Sequence, residues 1–464
     1  MRKIIVLGLD SAPPELVFGP WLADLPTLRG LVERGAAGPM RTCVPPITVP
    51  AWTAMMSSLY PGRLGLYGFR NRTGYGYDSL AVANATHVTV PRLWDHLSDA
   101  GLASILLSVP QTYPLRPLNG AAVSCFLTPE GARYTYPDSL AGEIESLIGR
   151  YLFDVPGFRT DDKPMILDGT YAMTDRRFRV ARHLMATRPW DFFMMVEIGV
   201  DRMQHGFWKF MDPTHPKHEP GHRYTDVIRD YYRHLDGQIA ELLDAVHGDA
   251  ITLILSDHGA RCMRGGVAIN EWLIREGYLT LLRTPARPSR FDPTLVDWTA
   301  TRAWAEGGYY GRVFLNVAGR EPRGTLAPAD YEAVRGELAR KLCALPDQDG
   351  APLATRAMRP EDVYPEVRGF PPDLIVYFDD LGWRAVASVG LGSVYAFDND
   401  TGPDDANHAE HGIFIGANAP DLFRPGHRLE GLSLYDVAPT ILAAFGLPVP
   451  PDMEGHSIDE RRTR

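Results

Sequence analysis

The chain has 464 residues, of which 45% are hydrophobic, so it can bury a large core and form more than one domain. Its formal net charge of −10 excludes the broadly basic surface that binds bulk nucleic acid through counterion release. No apolar run reaches the roughly 18 residues needed to cross a bilayer, and the four cysteines are too dispersed for a zinc cluster or a disulfide scaffold. The N-terminal stretch MRKIIVLGLDS predicts a strand and not a signal peptide. We therefore expect a cytoplasmic protein that binds no membrane, and its oligomeric state is left open.

Short apolar runs alternate with amphipathic helical patterns along most of the chain. In chain order the predicted strands are KIIVLGLD near the start, ASILLSVP after residue 102, DFFMMVEIGVD after 190, DAITLILSDHG after 248, PDLIVYF after 371 and GIFIGAN after 411. The predicted helices span residues 24–35, 48–58, 91–100, 169–187, 223–246 and 433–445. This alternation predicts an α/β fold with a mostly parallel central sheet and helices on both faces.

The composition of the chain changes between residues 285 and 370. There the segment RTPARPSRFDPT, rich in proline and arginine, is followed by YYGRVFLNVAGREPRG and a helical PADYEAVRGELARKL. We interpret residues 286–370 as an inserted cap-like subdomain, and residues 1–285 with 371–464 as the main domain. The chain is expected to rejoin the main sheet at PDLIVYF, and the insertion either covers a crevice or is an ordinary β-rich subdomain.

Acidic residues follow three of the predicted strands. Asp10 follows KIIVLGL, Asp201 follows MMVEIGV, and Asp257 with His258 follows ITLILS. Because ligand sites of open parallel sheets form at the carboxyl ends of strands, we expect these side chains to face one crevice. Carboxylates that converge in this way need a counter-charge. Taken singly, each aspartate could instead form a turn or cap a helix.

Histidines stand where they could complete two metal sites with these aspartates. Asp201 and His205 have the spacing that places two side chains on one face of a helical turn. On composition, His408 and His411 compete equally for a place before the strand GIFIGAN. Mixed carboxylate and imidazole ligands suit Zn²⁺, with Mn²⁺ or Fe as alternatives. The expected sets are Asp10, Thr48, Asp257 and His258 around one ion, and Asp201, His205 and His408 around the other.

Thr48, in PPITVPAWTAMMSSLYPG, has two interpretations. A threonine followed by Pro50 at the first turn of an apolar helix favours a helix cap. Two cations beside it would favour a nucleophile instead, because a helix N-terminus and bound dications both stabilise an alkoxide. The role of Thr48 therefore depends on whether metal ions are bound.

Several segments together resemble a known family. They are VLGLDSAPPEL, PPITVPAWTAMMSSLYPG, VDRMQHGFW, LILSDHG, INEWLIREGYL, NHAEHGIFIG and LYDVAPTILAAFGLPVP, in this order along the chain. In these segments the chain resembles the alkaline phosphatase superfamily, specifically its type I phosphodiesterase and nucleotide pyrophosphatase branch. The resemblance implies an alkaline-phosphatase-like fold, two metal ions held by the residues named above, and His408 as the ligand in place of His411. It also implies that Thr48 attacks a small-molecule phosphoester and forms a phosphothreonine intermediate.

The chain departs from the family pattern at some positions. Many relatives have TGxxPxxHG after the nucleophile helix, whereas this chain has SSLYPGRLG. Nucleotide pyrophosphatases have an asparagine that contacts the phosphoryl oxygen, and this chain has Phe69 there, with Asn71 two residues on. We predict a phosphodiesterase or nucleotide pyrophosphatase-like hydrolase, with a phosphomonoesterase, phosphomutase, phosphonate hydrolase or non-catalytic phosphometabolite-binding protein as alternatives. A monoester substrate would need a further cationic group near the transferred oxygens. The arginines that either supply this charge or are ordinary surface residues are Arg63, Arg70, Arg72 and Arg202.

Overall fold

The structure, a computed structural model, describes residues 2–246 and 250–458. Its strands are β1 Ile4–Leu9, β2 Ala36–Arg41, β3 Arg70–Arg72, β4 Leu80–Val82, β5 Ser104–Leu107, β6 Gly120–Val123, β7 Thr135–Tyr136, β8 Phe192–Glu197, β9 Ile251–Leu255, β10 Gly259–Cys262, β11 Gly265–Ala268, β12 Ala303–Glu306, β13 Gly311–Leu315, β14 Arg356–Met358, β15 Leu374–Tyr377, β16 Trp383–Val386, β17 Tyr395–Ala396, β18 Ala406–Ala409, β19 His411–Ala417, β20 His427–Arg428 and β21 Leu432–Ser433. Its α-helices are α1 Pro14–Val17, α2 Pro26–Arg34, α3 Thr48–Ser57, α4 Pro61–Leu64, α5 Leu93–Asp99, α6 Leu140–Ile148, α7 Lys163–Thr187, α8 Gly199–Met211, α9 Val227–Asp244, α10 Ile269–Arg275, α11 Tyr331–Cys343, α12 Pro360–Val363 and α13 Val437–Ala444.

Ten strands form one large sheet in the order β20, β2, β19, β9, β1, β8, β5, β6 and β7, with β21 also paired to β2. Strand β1 lies between β8 and β9 and is parallel to both. Strand β5 continues the parallel arrangement with β8 and β6, whereas β19 is antiparallel to β9 and β2. The predicted α/β fold with a mostly parallel central sheet is confirmed.

Both faces of this sheet are covered. Along β1, Ile5, Leu7 and Leu9 pack into the core beneath α7, α8 and α9. The alternating residues Ile4 and Val6 pack into the core beneath α3, α5 and α13. All six residues of β1 are therefore buried, which explains why this strand is continuously apolar in sequence.

A second group of strands forms smaller sheets around a core of its own. Strands β12, β13, β15 and β14 form a four-stranded sheet in that order, and β11 pairs with β16 and β17. Helices α10 and α11 pack with them. The expectation that PDLIVYF rejoins the main sheet is wrong, because this segment is β15 and pairs with β13 and β14. The chain re-enters the large sheet at β19.

Strand β15 resembles a main-sheet strand because it too is buried on both sides. Leu374 and Val376 face the core around α10 and α11, whereas Ile375 and Tyr377 face a different cluster of buried aromatic residues. A continuous run of apolar residues indicates that a strand is buried on both faces, but it does not indicate to which sheet the strand belongs. The division into a main domain and a cap-like subdomain over 286–370 stays a prediction.

The helices give no sign of a membrane span. Helix α7, with 25 residues, carries charged side chains along its length. Within residues 2–246 and 250–458 no helix is both long and apolar enough to cross a bilayer. The cytoplasmic location stays a prediction.

Gly8, in β1, packs closely against the side chain of Trp52. A Cβ atom at this position would lie 2.3 Å from the ring of Trp52, whose Nε1 donates a hydrogen bond to Asp10 Oδ2 at 2.8 Å. We expect Gly8→Ala to displace Trp52 and lower the free energy of unfolding by about 1–3 kcal/mol, measured by denaturant titration. The control is Gly237→Ala in α9, where a Cβ meets nothing within 4 Å, and which should raise stability by up to about 1 kcal/mol. An unchanged unfolding midpoint for Gly8→Ala would show that Trp52 is not held by this contact.

Candidate active site

The carboxyl ends of three neighbouring parallel strands place the predicted acidic residues together. Asp10 directly follows β1, and Asp257 with His258 follows β9. Asp201 lies in the first turn of α8, the helix that follows β8. Because β8, β1 and β9 are adjacent and parallel, these side chains meet at one edge of the sheet, where sites of such folds form.

The first group of possible metal ligands is Asp10, Asp257 and His258. Each offers one ligand atom, these atoms lie within 4.8 Å of one another, and all three residues are buried. His258 Nε2 is 3.3 Å from Asp257 Oδ2 and 3.8 Å from Asp10 Oδ1. Among the described residues, Asp10 Oδ1 and Asp257 Oδ2 have no hydrogen-bond partner. Buried carboxylate oxygens without partners are costly, so this set fits a cation.

The second group is Asp201, His205 and His408, which satisfies the same distance criterion and is also buried. His205 follows Asp201 by one turn of α8, and its Nε2 lies 3.1 Å from Asp201 Oδ1. His408 comes from β18, which pairs with β10 directly after His258, and its Nε2 is 3.8 Å from Asp201 Oδ1. In the described part of the chain His408 Nε2 has no hydrogen-bond partner. The competing His411 is exposed at the start of β19.

Each of these histidine rings is oriented through its Nδ1 atom. Such contacts fix the ring so that Nε2 faces the carboxylates, which is the arrangement of metal-ligating histidines with an outer hydrogen-bond partner. The rings of His258 and His408 also stack, with centroids 3.9 Å apart. The partners of Nδ1 are Gly259 O at 3.0 Å for His258, Pro46 O at 2.6 Å for His408, and Asp404 Oδ1 at 2.6 Å for His205.

Asp404 is a functional residue that the sequence analysis missed. Its side chain is fully buried between His205 Nδ1 and Arg159 Nε, which donates to Oδ2 at 3.1 Å. Asp404 and Asp405 stand next to each other shortly before NHAEHGIFIG, and two adjacent acids before a buried strand were the available signal. Nothing in the sequence alone distinguishes this pair from the acidic residues of an ordinary loop.

Burial raises the pKa of the two aspartates of the first group and lowers the pKa of its histidine. It raises the pKa of Asp10 to about 8, and the neighbouring charge of Asp201 adds to this shift. It raises the pKa of Asp257 well above its ordinary value, with Asp10 contributing. Burial lowers the pKa of His258 to about 4. The protein alone therefore stabilises the neutral forms of these ligands, and a bound dication would reverse that preference.

Thr48 does not act as a helix cap. The N-cap residue of α3 is Ile47, and in the described chain no side chain caps this helix. Thr48 is the first helical residue, and its Oγ1 lies 3.4 Å from His258 Nε2. Thr53 and Ser57 donate their hydroxyl groups to carbonyls of the same helix. The Thr48 hydroxyl thus lies beside the candidate metal ligands, at the positive end of the helix dipole.

A cavity of about 510 Å³ opens onto Thr48, Asp201 and His408. Arg202 lines it, donates to both carboxylate oxygens of Asp154 at 2.7 and 2.8 Å, and contacts Asp201. The six arginines in the lining are Arg70, Arg159, Arg202, Arg290, Arg312 and Arg384.

Three of the other residues singled out near Thr48 lie outside the lining of this cavity, namely Arg63, Asn71 and Arg72. Arg63 pairs with Asp452 at 3.0 Å and Arg72 with Glu321 at 3.3 Å, away from this cavity. Asn71 is held in its own turn, where its Oδ1 accepts from the Tyr67 backbone N–H at 2.6 Å. Phe69 lines the cavity.

Comparison with known proteins identifies the family. Residues 4–412 match the type I phosphodiesterase / nucleotide pyrophosphatase family, and the chain belongs to it. This confirms the predicted branch of the alkaline phosphatase superfamily and the predicted class of enzyme, a phosphoric ester hydrolase.

Solved structures share the fold at low sequence identity. Human ectonucleotide pyrophosphatase / phosphodiesterase 5 superposes with a TM-score of 0.60 at 12% identity over 99% of both chains. The murine protein, as an inactive threonine-to-alanine variant in complex with AMP, superposes with a TM-score of 0.56 at 13% identity over 97% of this chain and 96% of its own. A 2,3-bisphosphoglycerate-independent phosphoglycerate mutase from Laribacter hongkongensis is 60% identical over 61 residues, which are 12% of this chain and 12% of that protein.

The raised pKa of Asp10 predicts how stability depends on pH when metal is removed. With a native pKa of about 8 against about 3.9 in the unfolded chain, Asp10 contributes stability that is present at low pH and lost as pH rises through 8. Between about pH 6.5 and 8, above the range in which His258 acts, chelator-treated protein should lose up to about 1.4 kcal/mol per pH unit from this proton. Measured by thermal unfolding across this pH range, the free energy of unfolding should fall less steeply with pH for Asp10→Asn than for the wild type. Equal slopes would contradict the burial of Asp10 as a protonated acid.

Proposed function

We propose that this protein is a two-metal phosphodiesterase in which Thr48 attacks phosphorus. The observation that carries the proposal is the position of Thr48 Oγ1, free of any capping role within the described residues and beside two clusters of buried ligand atoms. Membership in the family supports the reaction class. The murine relative, inactive as a threonine-to-alanine variant and complexed with AMP, supports a threonine nucleophile and a small-molecule phosphoester substrate.

The donor atoms fit two divalent ions. Zn²⁺ is proposed, with Mn²⁺ or Fe as alternatives, because imidazole and carboxylate ligands occur in both groups. When bound, the ions supply positive charge that favours the ionised threonine and neutralises the phosphoryl oxygens. The proposed ligands are Asp10, Thr48, Asp257 and His258 for one ion and Asp201, His205 and His408 for the other.

The side chains of this site have distinct tasks in the proposed reaction. Thr48 releases its hydroxyl proton to solvent, and Oγ1 forms a bond to phosphorus while the bond from phosphorus to the leaving oxygen breaks. This gives a phosphothreonine and a leaving group that takes up a proton from solvent. Water then attacks phosphorus, loses a proton to solvent and displaces Oγ1, which is protonated again, so two inversions at phosphorus give net retention of configuration. Trp52 holds Asp10 in place, and Asp404 holds His205. These fixed contacts keep the ligands oriented throughout the reaction.

The arginines beside the site bear on the choice between a diester and a monoester. Arg202 and Arg159 are the cationic groups nearest the second ligand group, and they are paired with Asp154 and Asp404 respectively. Because carboxylates offset their charge, we favour the singly charged phosphodiester over a monoester dianion. The same two arginines make phosphomonoesterase the second candidate. Rates on bis(p-nitrophenyl) phosphate and p-nitrophenyl phosphate separate the two, and a strong preference for the monoester would overturn our choice.

Removing the Thr48 hydroxyl should abolish turnover. We expect Thr48→Ala to lower kcat on bis(p-nitrophenyl) phosphate by at least about 10³-fold, because the group that bonds to phosphorus is gone. Thr48→Ser keeps a hydroxyl and should retain measurable activity. Metal content, measured by mass spectrometry on the same samples, should remain high enough to exclude metal loss as the cause. Activity of Thr48→Ala near that of the wild type would reject the nucleophile.

Asp404 should act as a positioning residue for the second ion. Asp404→Asn weakens the contact to His205 Nδ1 and is expected to lower affinity for that ion by about 10–100-fold. The matched control is Asp405→Asn, an adjacent and equally buried carboxylate whose side chain does not bond to His205. Metal retention in buffers of graded chelator strength measures the difference. If both variants retain metal like the wild type, Asp404 has no positioning role.

A further inference from the structure

We propose that the cavity beside Thr48 binds a second anionic group, a phosphate or carboxylate, carried by the same substrate as the reacting phosphoryl group. This inference rests on the proposed function, and it specifies the substrate class of that site. The cavity is lined by Thr48 and, from the chain after residue 285, by a set of residues that we call the far wall, which includes Arg290, Arg312 and Arg384. The substrate is therefore inferred to carry two anionic groups, one at Thr48 and one at this far wall.

The arginines of the cavity divide into a set that is paired with carboxylates and a set that has no ion pair among the described residues. Arg202 and Arg159 are paired with carboxylates. In contrast, Arg70, Arg290 and Arg312 form no ion pair within 4.0 Å among residues 2–246 and 250–458. Arg312 is buried, and its Nη1 donates to the backbone oxygen of Arg70. Three guanidinium groups in one cavity thus have no carboxylate in direct contact among the described residues.

Arg384 adds a buried donor to this far wall. It is only 5% exposed, and within the described chain its side chain makes one hydrogen bond, from Nη2 to Asp400 Oδ1 at 3.2 Å. Its Nε is buried and has no hydrogen-bond partner in the same residues. Leaving the Nε–H donor of a guanidinium unpaired in a buried position is costly. Burial accordingly lowers the pKa of Arg384 even beside Asp400. An anion in the cavity would supply the missing acceptors.

The carboxylates of the far wall do not offset this charge enough to favour a cation. Asp400 already accepts hydrogen bonds from Arg384 and from Ser388 Oγ at 2.9 Å. Glu306 lies opposite Arg312 in the pairing of β12 with β13. Burial raises the pKa of Glu306, although Arg312 and Arg70 oppose that shift. The lining therefore carries an excess of positive charge before any metal ion is counted.

The test uses p-nitrophenyl alkyl phosphodiesters whose alkyl chains, of several lengths, end in a phosphate, a hydroxyl or a trimethylammonium group. All three release p-nitrophenol, so the hydroxyl-ended ester reports the proposed phosphodiesterase activity and the comparison reports the second site. We expect kcat/KM for the best phosphate-ended ester to exceed that of its hydroxyl-ended match at least about tenfold, or about 1.4 kcal/mol. The trimethylammonium-ended ester should be poorest. Equal values for phosphate and hydroxyl, or preference for trimethylammonium, would overturn the proposal.

Variants connect the preference to the named arginines. Arg384→Gln and the exposed Arg290→Gln should each lower the phosphate-to-hydroxyl ratio several-fold, and Arg384→Lys should recover part of it. Arg290 is on the surface, so its substitution tests the site even if Arg384→Gln fails to fold. Arg424→Gln, an exposed arginine outside the cavity, is the matched control and should leave the ratio unchanged. An unchanged ratio in the Arg290 and Arg384 variants would contradict the assignment.

Calorimetry with Thr48→Ala separates this proposal from the proposed function. Binding of the same esters to that variant requires no turnover. The phosphate-ended ester should bind at least about tenfold more tightly than the hydroxyl-ended ester. Equal affinities would overturn the second anion site. They would not affect the phosphodiesterase proposal, which is tested by the rates on the hydroxyl-ended ester.

Discussion

The burial of three aspartates at one edge of the sheet is the constraint on which the site depends. Asp10, Asp201 and Asp257 are each less than 5% exposed, and each has an oxygen without a hydrogen-bond partner among the described residues. Water cannot solvate these oxygens, so they must be protonated or matched by positive charge. Burial disfavours the imidazolium forms of His258 and His408, whereas the carboxylates of Asp201 and Asp404 raise the pKa of His205 despite its burial. Asp10 and Asp257 therefore lack positive charge beside them, and a divalent ion would supply it.

The fold places these aspartates and histidines beside the hydroxyl group of Thr48. Parallel strands β8, β1 and β9 bring the acids to one edge, and the β10 and β18 pair brings His408 beside His258. Helix α3 then sets Thr48 at its N-terminal end, where the helix dipole and bound ions would act on the same oxygen. The cavity beside Thr48 is rich in arginine, and much of its lining comes from the smaller sheets. In the proposed reaction the ends of the large sheet and the adjoining helices supply the reacting groups, and the later chain supplies charge for recognition.

The sequence predicted the parts of this structure that depend on local pattern. Continuous apolar runs followed by Asp10, Asp201 and Asp257 indicated the sheet and the edge at which these acids meet, and the family resemblance selected His408 over His411. Three features required the folded chain. Asp404 could not be identified, because its contact with His205 joins residues 199 positions apart. Strand β15 was placed in the wrong sheet, since burial on both faces leaves the same pattern in either location. The Thr48 side chain was open to a capping role until the backbone showed that Ile47 occupies the cap.

The central claim is that two divalent ions lie beside Thr48, one in each ligand group. Anomalous diffraction from crystals of the protein grown with zinc, with data collected above and below the zinc absorption edge, tests it most directly. The account predicts two anomalous peaks about 4 Å apart, one contacting Asp10, Asp257, His258 and Thr48 Oγ1, the other contacting Asp201, His205 and His408. A single peak, or none at these side chains when zinc and manganese are both supplied, would contradict it.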